Sequence, residues 1–321
     1  MNQLESLARH TVLVADTGDV AEIARFPVQD ATTNPSLVAQ AIESPETRDM
    51  VESALARARR DANGEHEQAA RFVDLLFVAL GLAILDVVPG RVSTEVPARL
   101  SFDTRATIEK ARALIALYEE AGIDRERVLV KIASTWEGIR ASEVLEAEGI
   151  HCNMTLLFHE VQAVAAAEAK ATLISPFVGR IYDWFKKDRG VADIPIEDDP
   201  GVASVAGIYH YLKHHGHPIQ VMGASFRRVG QITELCGCDL LTISPDLLAE
   251  LEGADGELTV RLVEAEARST PVDRIEADED AFRWAMNEDP MATEKLAEGI
   301  RRFHADTVKL EALARRELVA R

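Results

Sequence analysis

Lys131 lies inside Val128-Leu-Val-Lys-Ile-Ala-Ser-Thr135, a run whose other members read as a buried strand. A lysine ammonium is almost never fully buried without a partner or a purpose. Exposed, it has a pKa of about 10.4, so roughly one in a few thousand carries the free amine at neutral pH. Desolvation in an apolar pocket lowers that value by several units and makes lysine a nucleophile toward a carbonyl carbon. The plainer alternative is a lysine at a strand end whose head reaches solvent.

Other strand-like runs also end in polar groups. Val12-Leu-Val-Ala-Asp16 ends in a carboxylate, and Arg91-Val-Ser-Thr-Glu95 ends in a second. Asp30-Ala-Thr-Thr-Asn34 ends in an amide, followed by a proline that fixes the turn. In His151-Cys-Asn-Met-Thr-Leu156 alternation puts Asn153 and Thr155 on one face, with Met154 and Leu156 on the other. The same parity groups Lys131 with Leu129 and Ala133. Leu173-Ile-Ser175-Pro-Phe177 and Gly223-Ala-Ser225-Phe-Arg227 add hydroxyls and an arginine. Singly, each has a dull reading: Asp16 as a cap for a helix starting near Asp19, Asn34 as a turn residue, Ser225 as a loop serine. Their collective placement beside an apolar-flanked lysine favours an active site.

The elements that would position these groups alternate along the chain. Strand-like runs fall at 11–17, 28–33, 91–96, 128–134, 151–157, 172–178, 218–224 and 239–244, with the clearest helical patterns at 104–121, 137–148 and 160–170. Eight short strands alternating with helices predict a parallel (β/α)8 TIM barrel forming one domain over residues 1–321. No G-x-G-x-x-G follows the first strand, so a dinucleotide-binding sheet loses ground. Active sites of barrels sit at the carboxyl ends of the strands, where the polar groups fall. Residues 47–88 have room for two helices, 181–200 read as a loop or short helix, and a polar link after Pro245 leads to a helical extension at about 278–321. Helix-like 294–321 closes that extension and is expected to pack across the barrel.

Composition narrows the partners. A net charge of −19 argues against nucleic acid and anionic membrane, which both need basic surface. The longest uncharged apolar run, 75–85, is too short to span a bilayer and suits a buried helix. No export signal is visible, and the three cysteines make no paired framework, so a cytoplasmic protein with reduced thiols is expected. His210 and His214 are one helical turn apart but lack a nearby glutamate or cysteine, so no metal site is expected.

A lumen lysine with two carboxylates, two amides and a threonine suits imine chemistry on a ketone. Glu95 and Asp16 are the acid/base candidates, and Thr155 can hold a water beside Glu95. Asn34 and Asn153 can bond polyol hydroxyls. Arg180 and Arg227, with Ser225, can bind a phosphate through charge-assisted bonds. The scheme requires no metal or cofactor.

Asp16-Thr-Gly-Asp, Asp30-Ala-Thr-Thr-Asn-Pro-Ser36, Gly90-Arg-Val-Ser-Thr-Glu-Val96, Leu129-Val-Lys-Ile-Ala-Ser-Thr-Trp136 and Ile174-Ser-Pro-Phe-Val-Gly-Arg180 strongly resemble the transaldolases of the pentose phosphate pathway. Cys152-Asn-Met-Thr-Leu-Leu-Phe158, Met222-Gly-Ala-Ser-Phe-Arg227 and Asp289-Pro-Met-Ala292 extend the resemblance, which runs from about residue 5 to 315 and points to the longer, bacterial/eukaryotic-type branch. It implies that Lys131 forms a Schiff base with a dihydroxyacetone unit and that Asp16 is the acid/base at the cleaved carbinol. Glu95 with Thr155 would manage the catalytic water. It further implies donor contacts from Asn34 and Asn153, a pocket shaped by Ser175, and phosphate binding by Arg180, Ser225 and Arg227. Phe177 stands where related aldolases that release dihydroxyacetone carry tyrosine. The implied partners are small-molecule sugar phosphates and a second copy of the chain in a homodimer. Two rivals stand beside this reading: a fructose 6-phosphate aldolase on the same barrel, and a sugar-phosphate-binding regulatory protein without activity.

Overall fold

A computed structural model describes residues 1–319. Its strands are β1 (Val12–Asp16), β2 (Asp30–Thr32), β3 (Val92–Glu95), β4 (Val128–Ala133), β5 (Cys152–Leu157), β6 (Leu173–Pro176), β7 (Gln220–Gly223) and β8 (Leu240–Ile243). Each falls inside its expected run. They pair in parallel and in chain order, and β1 closes on β8, giving a (β/α)8 TIM barrel. Parallel barrel strands are covered on both faces, so their sequences read as nearly continuous apolar runs. The polar exceptions therefore mark the lumen.

Strand register stacks the lumen in layers. Val14, Leu129, Leu173, Met222 and Leu240 form a buried cluster separate from the surrounding core. Two positions further along the same strands, and so on the same face, stand Asp16, Lys131, Ser175 and Thr242. An apolar floor thus carries a polar layer toward the carboxyl end. Glu95, Lys131 and Asn153 are register partners across β3, β4 and β5. Beyond Thr155 the simple alternation ends. A register shift lies between Met154 and Leu157, and Leu156 takes a φ of 54°.

The helices occupy the expected gaps. Thr104–Glu120, Trp136–Ala147 and Glu160–Glu168 match three expected patterns, and Asp103 and Thr135 cap the first two through their side-chain oxygens. Between β2 and β3 the anticipated pair is Arg48–Asp61 and Glu65–Leu85. The second includes the apolar run 75–85 within 21 residues, long and apolar enough to cross a membrane by length and composition. Its Phe72, Leu76, Leu80 and Ile84 recur every four residues and are buried in the protein core.

The stretch 181–200, read as a loop or short helix, holds the end of a three-turn helix, Val178–Asp188, that buries Val178, Ile181 and Tyr182 at helical spacing, and then a loop. One expectation needs correction. The polar link after Pro245 contains helices Pro245–Gly253 and Glu264–Ser269. They bury only Leu248, Leu251 and Ala267, too little apolar periodicity to read from sequence. The final extension is Glu279–Glu288 followed by Pro290–Val319, which packs against Pro35–Ala41, Glu65–Leu85, Val178–Asp188 and β5. It begins at the proline, four residues before the expected start, because proline suits a first helical turn. Positions 320 and 321 of the expected helix lie outside the described residues.

Candidate active site

All six residues of β4 are buried, and Lys131 is 5% exposed at its centre. Its Nζ donates to the Thr33 carbonyl at 3.2 Å and lies 3.8 Å from Glu95 Oε2. The amine therefore sits beside a carboxyl group rather than in a purely apolar pocket. Glu95 is 5% exposed; burial pushes its carboxyl up to about 7, opposed by the attraction of Lys131 and Arg180. Near neutral pH this group can take up or release a proton.

Asp16 ends β1 with part of its surface open to a narrow cavity at the carboxyl ends of the strands. Burial raises its carboxyl above the usual range, against the pull of Lys131, a hydrogen bond from Thr32 Oγ1 at 3.3 Å and the field of Arg180. The capping reading fails for Asp16: Asp19 caps Val20–Ile23. Asn34 does cap Pro35–Ala41, accepting from the Leu37 N–H at 3.1 Å, while also lining the cavity.

Asn153 is fully buried, donating from Nδ2 to Ser93 Oγ at 3.0 Å and accepting from Ser175 Oγ at 2.5 Å. That chain locks the Asn153 amide between β3 and β6. Thr155 Oγ1 and Glu95 Oε2 are both buried and have no hydrogen-bond partner among the described residues. A buried oxygen in that state is usually met by ordered water.

The cavity brings together Asp16, Asn34, Lys131, Ser175, Phe177, Arg180 and Ser225. Arg180 lies with its Cζ 4.7 Å from the Phe177 ring centre and 5.4 Å from that of Phe303. Burial, together with repulsion from Arg302 and Arg227, lowers its guanidinium to about 10. Ser225 adopts a φ of 62° and accepts from Arg227 Nη1 at 3.2 Å. Arg227 itself is exposed, stands at the rim rather than in the cavity, and is held by Asp183 through Nε at 2.9 Å and Nη2 at 2.8 Å.

The sequence reading missed several members. Thr32 and Thr242 share a 2.9 Å hydrogen bond across the lumen, and Phe303 enters the cavity from Pro290–Val319. Thr32 carried a usable signal, since it shares strand parity with Asn34, whereas β8 held no assigned residue to set the parity of Thr242. Phe303 carried none, because only the tertiary path of its helix brings it to the strand ends.

A closed parallel barrel with a buried lysine and two raised carboxyls at the carboxyl ends of its strands has the architecture of a TIM-barrel enzyme. The family model described as Transaldolase/Fructose-6-phosphate aldolase matches residues 13–314. A Pseudoalteromonas atlantica protein named Transaldolase is 56% identical over 312 residues, covering 97% of this chain and 98% of its own. One of the same name from Alteromonas mediterranea is 55% identical over 319 residues, covering 99% of each. A third, from Thermosynechococcus vestitus, is 55% identical over 321 residues, covering 99% of this chain and 82% of its own. The chain belongs to the transaldolase/fructose-6-phosphate aldolase family of enzymes.

Proposed function

We propose that the protein moves a dihydroxyacetone unit from sedoheptulose 7-phosphate to glyceraldehyde 3-phosphate, giving erythrose 4-phosphate and fructose 6-phosphate. The observation that carries this reading is Lys131, 5% exposed in a lumen that also holds the raised carboxyls of Glu95 and Asp16. In this scheme the neutral Nζ adds to the donor ketone, and loss of water gives a protonated imine. Asp16 takes the proton of the carbinol hydroxyl, the adjacent carbon–carbon bond breaks, and its electron pair enters the imine as an enamine. The aldose phosphate leaves. The enamine then adds to the acceptor aldehyde, Asp16 returns the proton, and hydrolysis frees Lys131.

Glu95 and Thr155 would hold the water that is lost and regained, which accounts for their two unpartnered buried oxygens. Asn34 and Asn153 would bond donor hydroxyls, and the Asn153–Ser175 bond would fix the amide orientation. Arg180, Ser225 and Arg227 would take the phosphate. We place the enzyme, as one domain over residues 1–321, in the cytoplasm as a homodimer, following the family resemblance.

Phe177 supports transfer over release, because a phenyl ring offers no hydroxyl to orient water at the enamine. The test is turnover of fructose 6-phosphate with and without erythrose 4-phosphate. Transfer predicts sedoheptulose 7-phosphate formation only when the acceptor is present. Comparable release of free dihydroxyacetone without acceptor would assign the aldolase reaction instead, and no turnover in either case would favour a binding protein.

A further inference from the structure

We propose that Phe303 is a positioning residue for Arg180: it supplies the second of two aromatic faces that hold this guanidinium toward the cavity for a phosphorylated substrate. The inference deepens the proposed function and rests on it.

Arg180 is in an unusual position for a cation. Among the described residues no carboxylate or carbonyl engages it in a hydrogen bond or ion pair, whereas Arg227 is tied to Asp183 and Ser225. Its neighbours Arg302 and Arg227 repel it and burial disfavours its charge, against attraction from Glu298 and Glu95 beyond ion-pair distance. The direct contacts on the guanidinium are aromatic: Phe177 on one side at 4.7 Å and Phe303 at 5.4 Å. A ring face attracts a cation through its quadrupole without consuming an N–H donor. All five donors of the guanidinium thus stay free for an anion, and a planar fork is well matched to phosphate oxygens.

The last helix is seated to make this possible. Gly299 and Phe303 are one turn apart on the same helix face. A Cβ at Gly299 would stand 2.6 Å from Leu156 Cδ2 and 3.3 Å from Arg180 Nη1, so the glycine permits the close approach. Phe303 is 2% exposed at that contact and lines the cavity. Leu156, in the left-handed region at the β5 irregularity, meets the same glycine. The strained strand end and the helix glycine together bring the second ring to Arg180.

The experiment compares Phe303→Leu, Phe303→Tyr and Arg180→Ala with the wild type, reading KM and kcat for fructose 6-phosphate with erythrose 4-phosphate as acceptor. Phe303→Leu is expected to raise KM about tenfold, with a smaller change in kcat, as for loss of one partly desolvated cation–π contact. Phe303→Tyr, which keeps the ring face, is expected to restore most of the affinity. On the Arg180→Ala background Phe303→Leu is expected to add no further rise in KM, since the coupled partner is gone. A leucine effect that falls on kcat, that tyrosine does not rescue, or that persists in full without Arg180 would overturn the proposal and leave Phe303 a packing residue. If Phe303→Leu loses native circular dichroism, Phe303→Met gives the same comparison. Wild-type turnover with an unchanged Phe303→Leu would overturn this inference alone. A wild type without turnover would overturn the functional reading and this inference with it.

Discussion

Glu95 shows how one buried carboxyl links stability to chemistry. Its pKa is raised from 4.5 to about 7 in the fold, chiefly by burial, so between those values the native state binds more protons than the unfolded chain. The stability this group contributes is therefore fully present below about 4.5 and is lost as pH rises through about 7. Glutamine imitates the protonated form at every pH. The melting temperature of Glu95→Gln relative to wild type should accordingly rise across that window, followed by scanning calorimetry at a series of pH values. A constant difference would contradict the raised pKa. The same substitution should lower kcat by roughly 10²–10⁴-fold, the usual range for loss of an acid/base group. At this scale most of the candidate site's lining was legible. Lys131 broke an apolar strand run, Asp16 and Glu95 ended strand-like runs in carboxyls, and Asn153 shared a strand face with Thr155. Phe303 broke no pattern, because an aromatic residue on a helix reads as core.

Between elements, the behaviour of the site depends on what stands behind each strand. Tyr118, on Thr104–Glu120, shares a 2.6 Å hydrogen bond with Thr94, the residue before Glu95 in β3, and both are fully buried. Gly81 on Glu65–Leu85 makes the room: a Cβ there would be 1.8 Å from the Tyr118 hydroxyl. Gly81→Ala should destabilise by about 1–3 kcal/mol through overpacking, and Tyr118→Phe by about 1–3 kcal/mol through the lost hydroxyl. Removing the hydroxyl also removes the nearest clash, so in urea denaturation the double variant should be less destabilised than the sum of the singles. Additive effects would contradict this packing account. The eight strands and the main helices were legible because their periodicities differ and turn residues separate them. Pro245–Gly253 and Glu264–Ser269 were not, because so few of their residues face the core. The bend at Leu156 was equally hidden, since nothing local marks a leucine that will adopt a φ of 54°.

For the whole molecule, a net charge of −19 must coexist with the proposed site for phosphorylated substrates. Arg227 and Arg302 stand close enough to Arg180 to disfavour its charge, and the three provide local positive potential against that background. Away from the site, like charges repel and weaken the compact state. Raising salt from about 0.01 to about 0.5 M shortens the screening length and should raise the melting temperature; a fall would mean that surface ion pairs outweigh the repulsion. The barrel's layered lumen, an apolar floor below a ring of acids, amides and one lysine, makes a covalent imine on Lys131 the central claim. Its most direct test is incubation with fructose 6-phosphate and borohydride, followed by peptide mass spectrometry, with Lys131→Ala as the control. The account predicts a dihydroxyacetone-sized adduct on Lys131 and none in the folded alanine variant. A folded wild type left unmodified at Lys131, or an adduct that forms equally without that lysine, would contradict it.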